Sequence, residues 1–180
     1  MMKKKISSLV KILFAIIFIL FVHSLHSPLN SSLSKENSND QAASLISFCY
    51  LKRIVDGDTI WVRCYKGFKA NETFKVRFAD INAPEIETVP GKQSKAFLER
   101  FFEKHSKHLL LCVDTKKIYG KYGRVVAVVF IPLNKSCYIN LNKYIIDRGY
   151  AEPVDYYNSF HPWQWKREVI CGKSPCSFQS

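Results

Sequence analysis

Two β-prone segments of this chain flank a tight turn, and that arrangement constrains the fold more than any other feature. The segments are residues 49–55 and 60–65, with Asp56-Gly57 between them. An Asp-Gly dipeptide is typical of a β-hairpin, because both residues tolerate the positive backbone angles that tight turns require. Antiparallel pairing about this turn places Cys49 nearly opposite Cys64, which predicts a disulfide between the two strands.

Further along the chain the hydrophobic period changes from that of strands to that of helices and back. The predicted elements are strands at 74–78, 109–113 and 125–131 and helices at 91–108, 140–149 and 163–170. Five strands with a helix after the third indicate a β-barrel with helices (α+β), specifically a small five-stranded barrel of the OB type. Such barrels often bind nucleic acids or sugars on one face.

The N-terminus is typical of an export signal. Basic residues at 1–5 precede an unbroken apolar run at 12–22 and small residues suited to cleavage. We therefore expect a signal peptide at 1–24, a disordered polar linker at 25–44 and one domain at 45–180, in a secreted or periplasmic protein. An uncleaved membrane anchor is the alternative, although the run is shorter than the roughly 20 residues of a spanning helix.

Charge and cysteine content suit an exported protein that meets polyanions. The net charge of +12 would attract nucleic acids, and also anionic membrane surfaces. All six cysteines follow the signal, and an even number in an exported domain favours disulfides. A zinc site is not favoured, because the sequence contains no Cys-x-x-Cys pair. Besides Cys49 with Cys64, proximity predicts Cys171 with Cys176, which leaves Cys112 and Cys137 to join neighbouring strands.

Three short polar segments carry the candidate chemistry, and the first is Asp56-Gly57-Asp58-Thr59. By itself it is most simply a hairpin turn. The functional interpretation is that Asp58 offers a carboxylate oxygen to a hard cation, and that Asp56 and Thr59 order the surrounding shell.

The second segment joins Arg77 to Asn82-Ala83-Pro84-Glu85. These residues could be a solvated strand edge and a surface loop. The functional interpretation makes Arg77 a bidentate phosphate clamp, gives the Asn82 side-chain oxygen and the Ala83 carbonyl to the metal, and leaves Glu85 as general base. Asp80 is a second possible metal ligand, unless strand alternation directs it elsewhere.

The third segment, Lys121-Tyr122-Gly123-Arg124, could be an ordinary basic loop. In the functional interpretation Arg124 stabilises charge on the phosphorus, while Lys121 and Tyr122 contact a base or phosphate. A later aromatic group that includes Tyr157 could stack on bases, although most of it is expected to be core.

In this order and spacing, the three segments resemble the signature segments of the staphylococcal nuclease (thermonuclease) family. The resemblance implies a five-stranded OB-type barrel with three helices and a Ca²⁺-dependent endonuclease that cuts DNA and RNA and leaves 3′-phosphate ends. It assigns calcium binding to Asp58 and the Ala83 carbonyl, general base catalysis to Glu85, and phosphate contacts to Arg77 and Arg124.

The chain also departs from the family pattern. Asn82 stands where an aspartate is usual, so calcium should bind more weakly or at a shifted position, and Asp80 is a candidate to compensate. A base-stacking tyrosine is expected near residues 155–157, and we assign it to Tyr157. A cysteine-bearing tail replaces part of the last helix.

The sequence therefore predicts an exported, monomeric, calcium-dependent endonuclease with no protein partner and with membrane contact only through an uncleaved signal. The main alternative is a non-catalytic nucleic-acid-binding OB domain whose metal site is weakened at Asn82. A disulfide-bonded structural or adhesion module is the second alternative. Retention of Glu85 argues against a pure binding domain, because a carboxylate facing phosphate gives such a domain no benefit.

Overall fold

A computed structural model describes residues 45–165, 167–172 and 175–178, with the side chains of residues 177 and 178 left out. The expected signal peptide and linker lie outside these residues. In the part of the chain that is described, no helix has the length and apolar character needed to cross a membrane.

The described elements are nine strands, two α-helices and short 3₁₀ turns. The helices are α1 (Val89–Lys104) and α2 (Leu141–Asp147). The strands are β1 (Leu45–Ile54), β2 (Thr59–Gly67), β3 (Thr73–Phe78), β4 (Ile81–Asn82), β5 (His108–Val113), β6 (Val125–Pro132), β7 (Cys137–Asn140), β8 (Glu152–Pro153) and β9 (Val169–Cys171).

Five of the strands form a closed barrel. They follow the order β3-β2-β1-β5-β6 with antiparallel neighbours, and β3 then pairs in parallel with β6, so that Val76 lies opposite Val125. This closure removes the free edges that a five-stranded sheet would otherwise expose. The predicted five-stranded OB-type barrel with helices is confirmed.

Alternation along β2 shows how the sequence divides the barrel wall into two faces. Ile60, Val62 and Cys64 are buried inside the barrel, whereas Arg63 and Tyr65 are exposed on the outside. This two-residue period is the expected pattern for a strand with one buried face. β6 departs from it, since every residue from 125 to 131 is buried.

Capping residues fix where both helices begin. The Thr88 hydroxyl accepts a hydrogen bond from the Gly91 amide at the start of α1, and the Asn140 side chain accepts one from the Lys143 amide at the start of α2. Inside α2, the buried Asn142 amide donates to the Ala79 carbonyl at 2.8 Å and accepts from the Val129 amide at 3.0 Å. These bonds tie α2 to β6 and to the chain just after β3.

The predicted third helix at 163–170 is wrong. The chain forms a single 3₁₀ turn at Pro162–Gln164 and then β9, which pairs antiparallel with β7. Strand pairing satisfies backbone groups that an isolated short helix would leave open, and the local sequence pattern does not reveal a distant strand partner.

The disulfides confirm one predicted pairing and correct the other two, Cys171 with Cys176 and Cys112 with Cys137. Cys49 is bonded to Cys64, and the two residues lie opposite each other in the β1–β2 ladder. Cys171 is bonded to Cys137 and not to Cys176, because β9 pairs with β7 and places these two residues opposite each other. Cys176 is instead bonded to Cys112 on β5.

The Cys112–Cys176 bond should be the most stabilising of the three, because it closes the longest loop, with a sequence separation of 64. We expect the Cys112→Ala/Cys176→Ala variant to lose about 4 kcal/mol of unfolding free energy by chain entropy. Guanidinium unfolding measures the loss. The Cys49→Ala/Cys64→Ala variant is the control, since its separation of 15 predicts a smaller loss. An equal or larger loss in the control would contradict the expectation.

Candidate functional site

One cleft of about 490 Å³ opens where the β1–β2 turn, the chain after β3 and the loop before β6 meet. It brings together eight of the nine site residues predicted from sequence. They are Asp58, Arg77, Asn82, Ala83, Glu85, Lys121, Tyr122 and Arg124. The three sequence segments that carry the candidate chemistry therefore share one pocket.

Asp58 lies at the centre of the site and is 6% exposed. One carboxylate oxygen, Oδ1, accepts a hydrogen bond from the Thr59 hydroxyl at 3.0 Å. The other, Oδ2, accepts one from the Ala83 amide at 2.8 Å and forms an ion pair with Arg77 Nη1 at 3.0 Å. Burial raises the pKa of Asp58 to about 6, while Arg77 and the Ala83 amide act in the opposite direction.

Arg77 links the β1–β2 turn to the segment that follows β3. Its Nη1 group also donates to the Phe78 carbonyl at 3.2 Å, and Nη2 donates to the Asn82 side-chain oxygen at 3.3 Å. These contacts hold the guanidinium plane in place. A fixed planar fork of donors is the form of cation best suited to a phosphate.

Arg124 reaches the same centre from the other side. Its Nη1 donates to the Thr59 hydroxyl at 3.3 Å, and its Nε donates to the Lys121 carbonyl at 3.1 Å. Because Thr59 in turn donates to Asp58, one chain of polar contacts runs from Arg124 through Asp58 to Arg77.

Tyr122 stands beside both cations of its own segment. The Lys121 ammonium lies 5.0 Å and the Arg124 guanidinium carbon 5.7 Å from the centre of its ring. Its backbone adopts a positive φ of 61°, and its side chain is 80% exposed. The ring is therefore presented to solvent at the mouth of the cleft, where a base could stack on it.

Glu85 is held by its backbone, which leaves its carboxylate exposed at the cleft. The Thr88 hydroxyl donates to the Glu85 carbonyl at 2.6 Å and thereby joins this loop to the start of α1. In the described part of the chain the Glu85 side chain forms no ion pair. A carboxylate without a cationic partner in the described residues, in the same cleft as Arg77 and Arg124, is available to accept a proton from water.

Two glycines allow the site to assemble, and sequence reasoning missed their role. A Cβ at Gly57 would lie 2.6 Å from the Ala83 Cβ, and a Cβ at Gly91 would lie 1.9 Å from the Glu85 carbonyl oxygen. Only glycine permits these approaches, which bring Asp58 to the Ala83 amide and α1 to the Glu85 loop. A glycine at a turn can be recognised in a sequence, but the sequence does not show which distant segment packs closely against it.

Asp80 has a structural role that the sequence did not reveal. It is fully buried at a positive φ of 53° and lines the floor of the cleft. Its Oδ1 accepts hydrogen bonds from the Asn158 amide group and from the Tyr156 backbone amide, which anchors the loop after β8. Burial raises its pKa to about 6, against these hydrogen bonds. Its Oδ2 is buried and unpaired within the described residues.

The oxygen atoms of the cleft fit the calcium ion that the sequence resemblance implies. A carboxylate accepts about four hydrogen bonds or ligand contacts, and Asp58 uses three. Asp58, Asn82 and the unpaired Asp80 oxygen are hard ligands of the kind that calcium prefers. Among the described residues, no group of three or more His, Cys, Asp or Glu side chains forms a protein-only metal cage. The remaining ligands would have to be amide or carbonyl oxygens, water or phosphate.

The ninth predicted residue, Tyr157, is not part of the cleft lining. Its side chain is 84% exposed, whereas the neighbouring Tyr156 lines the cleft and is 46% exposed. The Asp80 hydrogen bond to the Tyr156 amide sets this register. A one-residue choice of this kind depends on a contact between distant segments, which no local pattern contains.

Comparison with known proteins agrees with this geometry. The sequence profile of the family described as staphylococcal nuclease homologue matches residues 75–167. A micrococcal nuclease from Shigella flexneri is 27% identical over 145 residues, which are 64% of this chain and 78% of that protein. The matched region contains Arg77, Asn82, Glu85 and Arg124.

Proposed function

Because the chain belongs to the staphylococcal nuclease family, we propose that it is a calcium-dependent endonuclease that hydrolyses DNA and RNA and leaves 3′-phosphate ends. We further propose that it acts as an exported monomer, in line with its N-terminal sequence and six cysteines. The three disulfides are compatible with an oxidising compartment.

One observation carries this proposal. A continuous series of polar contacts joins Arg124, Thr59, Asp58, Arg77 and Asn82, so residues from all three sequence segments meet at one point. Two guanidinium groups flank a pocket that also contains a free carboxylate, Glu85. Two cations and a general base around one small volume suit cleavage of a phosphodiester, and a binding domain would need only the cations.

In the proposed reaction, Glu85 accepts a proton from a water molecule as the water oxygen bonds to phosphorus. The bond from phosphorus to the 5′ oxygen breaks on the opposite side, the leaving 5′ oxygen takes a proton from a water molecule to become a hydroxyl, and the phosphate stays on the 3′ oxygen. Arg77 and Arg124 donate hydrogen bonds to the phosphate oxygens, whose negative charge increases in the transition state.

Asp58, the Asn82 side chain and the Ala83 carbonyl would hold the calcium ion, as the sequence pattern assigns them. When bound, calcium supplies positive charge that polarises the phosphoryl oxygen. The residues around Asp58 order this shell, since Thr59 and the Ala83 amide fix both carboxylate oxygens.

Zymography on gels that contain DNA or RNA tests the proposed function. We expect the purified protein to clear both substrates with calcium, and to lose activity when a chelator removes it. Clearing that persists with chelator would contradict calcium dependence. A shift of nucleic acid in a native gel without clearing would instead support the non-catalytic binding domain.

Asn82→Asp should make activity saturate at a lower calcium concentration. The substitution adds a carboxylate beside Asp58, and ligand charge is a main determinant of calcium affinity. We expect the half-maximal calcium concentration to fall by about 10-fold, on the order of one added charge interaction. Calcium titration by calorimetry provides a readout that does not depend on turnover.

The matched control for this prediction is Asn134→Asp, which adds the same charge in the β6–β7 loop, outside the cleft. Its calcium dependence should equal that of the unmodified protein. If Asn82→Asp leaves calcium affinity unchanged or weakens it, Asn82 does not belong to the metal shell.

A further inference from the structure

A cluster of aromatic side chains lies on the outside of the barrel, across β1, β2 and β5. The ring centres of Tyr50 and Tyr65 are 4.9 Å apart, and those of Tyr50 and His108 are 4.3 Å apart. Phe48 lies 6.4 Å from Tyr65. None of these residues lines the candidate active site.

Three of these four side chains, Tyr50, Tyr65 and His108, are exposed to solvent, and Phe48 is partly buried. Tyr50 is 40% exposed and Tyr65 is 46% exposed, while their neighbours Cys49 and Cys64 are buried in the barrel. Pairing between rings on adjacent strands stabilises a sheet. Rings that are covered by other side chains, however, stabilise a sheet more than exposed rings do, because the hydrophobic contribution grows with the apolar area removed from water. The arrangement therefore suggests a ligand for the free ring faces.

The charged side chains on the strands that carry the cluster are all cationic. The strands β1, β2 and β5 contain no aspartate or glutamate, and their cationic residues are Lys52, Arg53, Arg63 and Lys66. The Lys66 ammonium lies 5.7 Å from the centre of the Phe48 ring. Exposed rings among cations match a ligand that carries both flat apolar groups and anionic groups.

Strand β2 connects this cluster with the candidate active site. In the β2–β3 ladder, Thr59 lies opposite Arg77 in the cleft, and Trp61 lies opposite Lys75 one step further out. The Lys75 ammonium is 5.4 Å from the centre of the Trp61 ring. Tyr65 follows six residues after Thr59, about 20 Å along the strand. Alternate residues of a strand share a face, so Trp61, Arg63 and Tyr65 lie on the same face as Thr59 and place rings and a cation along the strand between the cleft and the cluster.

We propose that this outer face is a second binding site, specific for single-stranded nucleic acid. The site, termed the aromatic track, consists of Trp61 and Tyr65 on β2, Tyr50 on β1, and the flanking Arg63 and Lys66. Unpaired bases stack on the tyrosine rings, and the cations contact the phosphates between them. A duplex cannot use the track in this way, because its bases are already stacked. The inference depends on the proposed function only for the class of ligand.

Fluorescence anisotropy with a labelled single strand of oligothymidylate tests the track. Chelator is present throughout, so that binding is measured without cleavage. We expect the Tyr50→Ala/Tyr65→Ala variant to bind the single strand at least about 10-fold more weakly, given the usual contribution of one stacked base. Its affinity for a duplex of equal length should change by much less.

Two further variants separate stacking from other effects. The Tyr50→Phe/Tyr65→Phe variant keeps both rings and should bind like the unmodified protein, which also guards against misfolding as the cause of a loss. Trp163→Ala removes another exposed ring, 68% exposed and outside both sites, and should bind normally. Thermal unfolding shows whether each variant retains the fold.

Three results would contradict the proposal that the aromatic track binds single strands. The first is an unchanged single-strand affinity in the Tyr50→Ala/Tyr65→Ala variant, and the second is an equal loss of affinity for the single strand and the duplex. The third is that the unmodified protein shows no measurable binding to the single strand. None of them bears on cleavage. Failure of the zymogram, in turn, would overturn the proposed function and leave this binding measurement intact.

Discussion

Replacing Arg77 by lysine should lower the rate of phosphodiester cleavage by on the order of 100-fold, although the positive charge is kept. The Arg77 guanidinium makes contacts in two directions, through Nη1 to Asp58 and through Nη2 to Asn82. A lysine ammonium is a single point of charge on a flexible stem, so it cannot hold Asp58 and also present a planar pair of donors to a phosphate. The rate on a fluorogenic DNA substrate at saturating calcium measures the loss.

The folded state should tolerate this change better than removal of the charge. Arg77→Met would leave the Asp58 carboxylate buried without its cation, a loss of about 3–5 kcal/mol. Lysine can still pair with that carboxylate, so the unfolding midpoint of Arg77→Lys should fall less than that of Arg77→Met. The comparison shows whether a lower cleavage rate comes from the lost guanidinium geometry or from a destabilised fold.

Arg100→Lys is the matched control, because Arg100 is exposed on α1 outside the cleft. It should cleave at the normal rate. If Arg77→Lys also cleaved at the normal rate, Arg77 would be a structural partner of Asp58, and the phosphate contact would have to come from elsewhere.

The local sequence pattern was sufficient to predict the five barrel strands and the two α-helices. The Asp56-Gly57 turn and the alternation of residues 60–65 fixed the β1–β2 hairpin, and with it the Cys49–Cys64 disulfide. The helix boundaries at 91–108 and 140–149 shifted by a few residues, because Thr88 and Asn140 cap the helices by hydrogen bonds to backbone amides.

The errors share a different cause, since each depends on contacts between segments far apart in the chain. β9 pairs with β7, which turned a predicted helix into a strand and gave Cys171 a different partner from the one that proximity suggested. Proximity in sequence favours short loops, but the register of a strand ladder decides which cysteines meet.

The candidate site was predictable to the extent that its residues lie in short segments with a definite order. That order gave eight residues of the cleft. The buried position of Asp80 and the close approaches at Gly57 and Gly91 were not predictable, because each depends on another segment that packs against it. That Tyr156 lines the cleft and Tyr157 does not was not predictable for the same reason, and base stacking by Tyr157 stays a prediction.

Glu85→Gln should nearly abolish cleavage while nucleic-acid binding persists. Glutamine has almost the shape of glutamate but accepts a proton poorly, and loss of a general base typically costs about 10²–10⁴-fold in rate. The loop should stay in place, because Thr88 holds it through the Glu85 backbone carbonyl and not through the side chain. Single-turnover cleavage and anisotropy with chelator present measure rate and affinity separately.

Glu87→Gln is the control for the same change of charge, two residues further on and outside the cleft. It should cleave and bind normally, so any loss in Glu85→Gln cannot be ascribed to the lower negative charge of the loop. A Glu85→Gln variant that cleaves within a few-fold of the normal rate would exclude proton transfer to Glu85. The remaining sources of catalysis would then be the two arginines, the metal shell and water, and the proposed reaction would need a different base.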